Sequence, residues 1–406
     1  MTGVEVKSVN YPLYEHHEFF RIPCGERPQI DKLSLLPIPD IRNDQLALFT
    51  EDSIMARTVE PFDAGSAMEK IRKHEGERIV SIDFGGDKAT VIPYEVRFGS
   101  LVAIEQQVKT EKKVKDGANY LPFFERIARE AENTNTGVAI SYGGPLEGTK
   151  PISIPNATDL FHLMQEKYHG DFQELFPTLL IANNDAQAGI KTAAIAAQKQ
   201  LIQEGLLDTN GSILFPINGG GDGLAALING YIIAMEVGHV PVIDALNPYH
   251  QKTPCGMLGR SYVCIERVAA SGAGIEAIWL QQMGQRLSGK EISGLYQYGD
   301  TFARDLYNNA ALLFAHGLIG AANINGIMKT PTDTAIAYHG GGFRVKGLME
   351  RTTQIIAKQR GFAPPTLFSD NFSVNGCAEG AVIAALCAPQ KKKKLDPRLR
   401  EILFQK

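Results

Sequence analysis

The stretch Ile79-Val80-Ser81-Ile82-Asp83-Phe84-Gly85-Gly86-Asp87-Lys88 decides the fold prediction. Its first part is short, mainly apolar and rich in β-branched residues, which is typical of a buried strand. An Asp/Gly turn and a second β-like run at 89–93 follow, so the stretch predicts a hairpin. Strand, glycine turn and return strand recur at 213–228. This repeat predicts a duplicated mixed α/β fold with two lobes.

Other segments fit the same architecture. An apolar face at 120–133 predicts a helix, and buried strands are expected at 137–141, 178–182 and 336–338. Asn183-Asn184-Asp185 are good N-cap residues for an alanine-rich helix that we expect to continue to about residue 206. A further helix is expected from about residue 345. Ligands in such folds bind beyond the strand ends, so the site is expected between the lobes.

Glycine is the unusual residue in the composition. The chain has 40 glycines in 406 residues, about 10% against a typical ~7%. A glycine turn between strands lets backbone N–H groups approach an anion with no Cβ in the way. Two such turns, one in each lobe, can hold a polyphosphate from both sides. The glycines cluster at Gly85-Gly86, Gly143-Gly144, Gly219-Gly220-Gly221 with Gly223, and Gly340-Gly341-Gly342.

Charged residues beside the first turn suit the same ligand. Asp83, at the end of the first strand, could hold Mg²⁺ directly or through water, because magnesium keeps several waters. Lys88 could lie on the phosphates as a point charge. None of the glycine runs matches a P-loop or a strand-to-helix G-x-G-x-x-G. A single glycine hairpin is commonly structural, and the prediction rests on finding several.

The ordered motifs resemble the ROK family of bacterial sugar kinases, in the sugar-kinase/actin/heat-shock ATPase superfamily. Residues 83–88 resemble its first phosphate motif, D-x-G-G-T-K, and Gly219–Gly223 with Asn229-Gly230 resemble the second. Gly340-Gly341-Gly342 resembles its adenosine motif. Asn184-Asp185-Ala186-Gln187-Ala188 resembles N-D-A-N-A, which carries the catalytic aspartate of the family.

The sugar motifs of the same family also have counterparts. Gly143-Gly144-Pro145 resembles the P-G-P loop, and Pro155-Asn156 resembles the P-N that follows it. Glu236-Val237-Gly238-His239 matches E-x-G-H. Cys264-Ile265-Glu266 with Ser271-Gly272 resembles C-x-E…S-G. The likeness runs in the family's order over about residues 77–388.

The resemblance implies a two-lobed actin-like ATPase (ribonuclease H-like) fold and ATP-dependent phosphorylation of a hexose or hexose derivative. Asp185 would be the general base that accepts the sugar hydroxyl proton. The implied ATP and phosphate residues are Asp83, Gly85, Gly86, Lys88, Gly219, Gly220, Gly221, Gly223, Gly340, Gly341 and Gly342. The implied sugar residues are Gly144, Pro145, Asn156, Asn184, Asp185, Glu236, His239 and Glu266.

The sequence departs from the family pattern at two phosphate positions and in the zinc cluster. Asp87 and Gly220 each replace a threonine, which adds a carboxylate near the expected γ-phosphate and removes a hydroxyl donor. Cys255 and Cys264 remain from the family's zinc cluster, but Thr253 stands where the first cysteine is expected. One interpretation is a zinc site of His239, Cys255, Cys264 and a fourth ligand such as His250. The alternative is a zinc-free loop with two buried thiols.

Other readings of these residues stay open. Asp185 taken alone could be only a helix-capping residue, and Glu236 with His239 could be a surface pair at a strand end. The alternative function is a sugar- or nucleotide-binding sensor of the same fold with weak or no kinase activity, which Asp87, Gly220 and the long N-terminal extension suggest. A third hypothesis is a kinase of the same superfamily with a non-sugar substrate. The presence of the E-x-G-H motif argues against it. Residues 1–75 have too many prolines and too little helical periodicity for a helix-turn-helix.

Composition sets the remaining expectations. The net charge of −4 and a pI near 6.2 give no whole-chain sign of nucleic-acid binding. We find no signal-peptide pattern at residues 1–10, no apolar run of ~20 residues and no CxxC spacing, so a cytoplasmic protein without a membrane partner is expected. The sequence does not decide whether the protein forms a homodimer.

The predicted divisions are an extension of unknown role at 1–76, an N-terminal lobe at 77–183, a C-terminal lobe at 184–388 whose last helix could return to the first lobe, and a basic tail at 389–406.

Overall fold

The computed structural model describes residues 59–388, except 86, 115, 155–156, 236, 243–245, 256–261 and 269. The predicted site residues Gly86, Asn156 and Glu236 therefore lie outside the described residues, as do most of the predicted extension and the basic tail. No helix in the described part of the chain combines the length and the apolar character that crossing a membrane requires.

The described strands and helices alternate along the chain. The strands are β1 (Val59–Pro61), β2 (Arg78–Phe84), β3 (Lys88–Arg97), β4 (Ser100–Ala103), β5 (Lys109–Lys112), β6 (Gly137–Tyr142), β7 (Leu146–Glu147), β8 (Lys150–Pro151), β9 (Leu179–Asn184), β10 (Ser212–Asn218), β11 (Asp222–Ile228), β12 (Tyr231–Met235), β13 (Thr334–Tyr338) and β14 (Thr366–Phe368). The helices are α1 (Ala64–Arg72), α2 (Tyr120–Asn133), α3 (Thr158–Tyr168), α4 (Phe172–Leu175), α5 (Asp185–Ala197), α6 (Gly272–Met283), α7 (Gly289–Gln297), α8 (Thr301–Asn325), α9 (Leu348–Arg360) and α10 (Gly376–Cys387).

Two larger sheets repeat one topology. The strand order is β4-β3-β2-β6-β9 in the first sheet and β12-β11-β10-β13-β14 in the second. In each sheet a central strand pairs antiparallel with its hairpin partner and parallel with the strand on its other side. The predicted duplication and both predicted glycine hairpins, β2–β3 and β10–β11, are confirmed.

Each sheet contains one additional described strand that is not part of the repeated topology. β5 pairs with β3 in the first sheet, and β1 pairs antiparallel with β12 in the second. Glu60 of β1 accepts a hydrogen bond of 2.8 Å from Nζ of Lys191, an α5 side chain that is only 1% exposed. Burial lowers the pKa of Lys191, whereas Glu60 opposes the shift. This pair joins the chain ahead of the first lobe to the middle of the molecule. The predicted domain divisions stay predictions.

Helices α5 and α10 pack against each other between the sheets. Residues of both helices belong to a core cluster that also contains Ile79 and Ala139 of the first sheet and Phe215 of the second. α10 contacts β2 and β6 as well as α5. A Cβ at Gly380 of α10 would collide with the carbonyl oxygen of Ala188, so only glycine allows the two helices to approach this closely.

The element predictions hold with two changes at helix ends. Helix α2 has the expected bounds, and the predicted strands all appear. The α5 helix continues as a π-helix, Gln198–Ile202, and ends there rather than near residue 206, because Gly205 has a left-handed φ of 68°. α9 begins at Leu348 rather than near 345, because Gly347, its N-cap, has a φ of 85°.

Candidate functional site

The parallel strands of the first sheet bring three predicted site segments to one edge. Asp83 of β2 lies beside Ser141 of β6, and Tyr142 of β6 lies beside Asn184 of β9. A Cβ built on Gly143 would lie 3.4 Å from Oδ2 of Asp185 and 3.5 Å from Cα of Gly85. The first glycine turn, the Gly143-Gly144 loop and the start of α5 are therefore neighbours.

Two side chains that sequence reasoning missed hold Asp83. Ser141 donates a hydrogen bond to Oδ1 at 3.1 Å, and the Asn375 amide donates one to Oδ2 at 2.8 Å. Oδ1 of Asn375 accepts from the backbone N–H groups of Cys377 and Ala378 and caps α10. An asparagine ahead of an apolar helix is a recognisable cap in sequence. Its bond to a residue 292 positions earlier is not recognisable.

Asn184, and not Asp185, is the N-cap of α5. Its Oδ1 accepts hydrogen bonds from the N–H groups of Ala186 and Gln187. Asp185 is the first residue of the helix, and its Oδ1 accepts a 2.7 Å bond from the N–H of Ala186. Burial, and next the charge of Asp185, raise the pKa of Tyr142. The arrangement places the Asp185 carboxylate beside the ends of β2 and β6, and the helix has a dedicated cap without it.

The second and third glycine runs meet at the end of β10. The N–H of Gly219 bonds to the carbonyl of Gly221, and the carbonyl of Gly219 accepts from the N–H of Gly272. Cβ atoms at Gly340 and Gly342 would collide with Asn218, and Gly340 has a φ of 104°. Nothing described lies within 4 Å of a Cβ at Gly341. Gly223 follows the turn in β11, with its Cβ position 3.9 Å from Ala186 at the start of α5. Asn229 and Gly230 connect β11 to β12 and lie at the other end of the strand from this turn.

The two departures from the phosphate motifs are in contact with each other. A Cβ on Gly220 would lie 2.9 Å from Oδ2 of Asp87, which tightly restricts any side chain at position 220. Oδ1 of Asp87 forms an ion pair of 3.3 Å with Nζ of Lys113, just after β5. Among the described residues, Lys113 is the cation that forms an ion pair with Asp87. Sequence reasoning missed Lys113, because only the β3–β5 pairing places it here.

The predicted sugar residues that are described fall into two groups. At the end of β9, the Asn184 amide donates to the carbonyl of Gly144 at 3.4 Å, and Pro145 accepts from the N–H of Ile152, near the small β7–β8 sheet. In the second lobe, Oε2 of Glu266 lies 3.2 Å from the Cβ position of Gly221 in the second glycine turn. Burial raises the pKa of Glu266, and Arg267 and the N–H of Asp222 oppose this.

The third predicted group is the candidate zinc cluster. Ligand atoms of His239, Cys255 and Cys264 lie within 4.8 Å of one another, and Nδ1 of His239 is 3.3 Å from Sγ of Cys255. Both cysteines are buried, and burial together with the neighbouring Cys255 raises the pKa of the Cys264 thiol. Two sulfurs and one imidazole are a donor set that suits zinc. His250, the suggested fourth ligand, is exposed and does not belong to this cluster.

A partly buried acid lies next to the Asn375 cap in the first turn of α10. Glu379, in the first turn of α10, accepts a 2.6 Å bond from the Ser373 hydroxyl, and its N–H bonds to the carbonyl of Asn375. Burial raises the pKa of Glu379 to about 7, although Ser373 and Lys199 act in the opposite direction. Sequence reasoning did not find Glu379, because in sequence it is one acidic residue in the first turn of a helix.

These features define a two-lobed α/β protein with duplicated sheets and paired glycine turns where the lobes meet. A sequence model of the ROK family matches residues 79–358. The chain therefore belongs to the ROK family, and its fold is the two-lobed actin-like ATPase fold. No curated protein matches the sequence significantly.

Solved structures with the same fold include kinases and a regulator. A glucokinase from Balamuthia mandrillaris, 12% identical, has a TM-score of 0.57 over 79% of this chain and 98% of its own. A ROK family glucokinase from Streptomyces griseus, 16% identical, has a TM-score of 0.52 over 75% and 97%. A ROK family transcriptional regulator, described as a homologue of the E. coli MLC protein, is 14% identical with a TM-score of 0.51 over 82% and 85%. At these identities the likeness concerns the fold.

Glu379 predicts a pH dependence of stability. Its carboxyl has an ordinary pKa near 4.5 when unfolded and about 7 when folded, so the unfolded chain releases this proton at lower pH. The contribution of Glu379 to the free energy of unfolding is therefore complete below pH ~4.5. It falls by roughly 3 kcal/mol as the pH rises through 7. We expect urea denaturation to show a decline in the wild type that is smaller by about this amount in Glu379→Gln, because Glu266 and Asp222 also have raised pKa values. Glu130→Gln, on the exposed side of α2, should follow the wild type. Parallel curves for wild type and Glu379→Gln would contradict the assignment.

Proposed function

We propose that the protein is an ATP-dependent kinase for a hexose or hexose derivative, with Asp185 as the general base. The observation that carries the proposal is the position of the Asp185 carboxylate, whose Oδ2 faces Gly143 next to the first glycine turn. Asn184 is the N-cap of α5, so the cap does not require Asp185, although Oδ1 of Asp185 also accepts a bond from the N–H of Ala186. The Streptomyces griseus neighbour was solved with glucose and AMPPNP, which supports the same pair of substrates here.

Phosphate binding in this proposal uses the two glycine turns. Mg·ATP would lie between them, with backbone N–H groups and Lys88 facing the phosphates. Asp83 would hold the magnesium ion through a bound water, and the hydrogen bonds from Ser141 and Asn375 keep its carboxylate in one orientation. The third run, Gly340 to Gly342, would lie against the adenosine.

Asp185 would act on the acceptor hydroxyl. As the oxygen of the sugar attacks the γ-phosphorus, the carboxylate takes the hydroxyl proton, the new O–P bond forms and ADP leaves. Such a base contributes ~10²–10⁴-fold in rate. Positioning and charge stabilisation supply most of the remainder in phosphoryl transfer. Closure of the lobes on the sugar would exclude water that otherwise hydrolyses ATP.

Sugar recognition is assigned to polar groups from both lobes. Gly144, Pro145 and Asn184 lie near Asp185, and Glu266 with His239 lies in the second lobe. Asn156 and Glu236 complete the set by resemblance. A site that pairs each sugar hydroxyl rejects an epimer that leaves one of these groups unpaired.

A sensor with weak kinase activity is the second candidate, and one observation favours it. The Asp87 carboxylate occupies space between the two glycine turns, beside Gly220 and Lys113. A phosphate entering there meets a like charge unless Asp87 moves or a cation is shared. Sugar binding without ATP consumption would identify the sensor.

Replacement of Asp185 tests the kinase directly. We expect Asp185→Asn to lower kcat by ~10²–10⁴-fold in a coupled ATPase assay over hexoses, hexosamines and N-acyl hexosamines. Sugar binding by calorimetry should persist. Asp159→Asn is the matched control, because Asp159 is an exposed acid in the first turn of α3. Full sugar-dependent turnover in Asp185→Asn would refute the assignment.

The contact between Asp87 and Gly220 predicts non-additive kinetics. Gly220→Thr alone places a Cβ 2.9 Å from the Asp87 carboxylate, and we expect kcat/KM for ATP to fall about 10-fold or more. Asp87→Thr removes the carboxylate, so the double variant should recover most of that loss. The measurement is a double-mutant cycle in kcat/KM. Strictly additive effects would show that the two positions do not interact during catalysis.

We also propose that His239, Cys255 and Cys264 hold a structural zinc ion, with a fourth ligand not assigned. Zinc would stabilise the thiolates that burial disfavours. We expect purified protein to contain about one zinc per chain by elemental analysis, and Cys255→Ser to lose it with a lower melting temperature. Cys387→Ser, at a half-buried cysteine outside the cluster, should keep the metal. Zinc-free wild-type protein would favour the alternative of two buried thiols.

A further inference from the structure

Three buried side-chain oxygens lie at the base of the second glycine turn. Asn218 and Asp222 are directly paired across the β10–β11 hairpin, so their side chains lie on the same face of the sheet. They are 1% and 5% exposed. Oδ1 of Asn218 and both carboxylate oxygens of Asp222 have no hydrogen-bond partner among the described residues.

Glu266 brings a second carboxylate to the same place. The backbone N–H of Asp222 bonds to it, and its Oε2 lies 3.2 Å from the Cβ position of Gly221 and 3.3 Å from that of Gly238. Arg267 acts electrostatically on Glu266, but no described basic group acts on Asp222. The cluster therefore combines two carboxylates and one amide oxygen without a cation directed at Asp222.

Packing restricts the positions of the Asn218 amide and of Cβ of Asp222. The Asn218 amide nitrogen donates to the carbonyl of Ala270 at 3.0 Å, which directs Oδ1 away from that carbonyl. Gly342 leaves room for this amide, since a Cβ there would collide with Oδ1. Gly238 likewise leaves space for Asp222, because a Cβ on Gly238 would lie 3.0 Å from Cβ of Asp222. Rotation into water is not open to side chains this deeply buried.

A buried carboxylate without a partner is costly, and proteins compensate it with a hydrogen-bond donor, a proton or a cation. Carboxylate and amide oxygens are hard ligands of the kind that divalent cations of the Ca²⁺ and Mg²⁺ class prefer. Two carboxylates match a charge of +2. We propose that Asn218, Asp222 and Glu266 bind a divalent cation at the base of the second glycine turn, separate from the magnesium that accompanies ATP.

The cation would connect parts of the second lobe that meet at the turn. Asn218 already contacts the third glycine run and Ala270, and the hydroxyl of Ser271 bonds to the carbonyl of Glu266. A cation shared by Asn218, Asp222 and Glu266 would hold the phosphate turn and the Glu266 segment together before any substrate binds. The inference does not depend on kinase activity, and its test uses no substrate.

The test is cation binding by the full-length protein without nucleotide. In chelator-treated buffer, CaCl2, MgCl2 and MnCl2 are added separately, with NaCl at equal ionic strength as reference. We expect at least one divalent cation to raise the melting temperature by about 5 °C at 100 times its Kd. Electron paramagnetic resonance should then count one bound Mn²⁺ per chain if manganese is the cation that stabilises.

Asp222→Asn keeps the size of the side chain and removes its charge, so it should lose the cation-dependent shift. Asp305→Asn, at an exposed position of α8, should keep it. If Asp222→Asn does not fold, Glu266→Gln takes its place. No divalent-specific shift in the wild type, or a full shift in Asp222→Asn, would overturn the proposal and leave a protonated Asp222 as the explanation. Since turnover is not measured, failure of the proposed kinase activity would leave this result untouched.

Discussion

The hydrogen bonds of the Asn375 side chain join α10 to the first sheet, and the geometry of the site depends on them. One amide caps α10 through two backbone N–H groups and donates to Asp83. A hydrogen bond to a charged group contributes ~1.5–3 kcal/mol, and a cap about 1 kcal/mol. Because α10 also packs on α5 through Gly380, the position of Asp83 is coupled to that of Asp185. The carboxylates proposed for magnesium and for proton transfer are thus set by one pair of helices.

The phosphate turns show how two unusual residues can depend on each other. In sequence, Asp87 and Gly220 are separate losses of a hydroxyl. In the structure, the missing Cβ at Gly220 makes room for the Asp87 carboxylate, and Lys113 offsets its charge. The pair changes the region between the lobes without disturbing either hairpin, because both residues lie in turns and outside the strand pairing. The kinase and the sensor proposals differ in whether a phosphate can bind beside the Asp87 carboxylate in this region.

Much of the fold was predictable because its signals are local. β-branched runs such as the one ending at Asp83 form strands, and turn residues between two such runs form hairpins. The repeat of this pattern predicted the duplication that the two sheets display. Helix ends were less predictable, since Gly205 and Gly347 end or begin helices through a left-handed φ that glycine permits but does not require. For the site, motif order identified Asp185 and Glu266 as candidates but not Ser141, Asn375 or Lys113.

The sequence by itself determined the family, the two glycine hairpins and the polar residues at the strand ends, because these follow from short-range patterning and motif order. Only the tertiary structure decided which of those residues meet. It assigned the cap of α5 to Asn184, brought Lys113 to Asp87, and buried Asp222 beside Glu266. The physical reason is that each contact joins residues whose distance depends on strand order and helix packing. Strand order and helix packing follow from the burial of entire helix and sheet faces, which no single local sequence pattern determines.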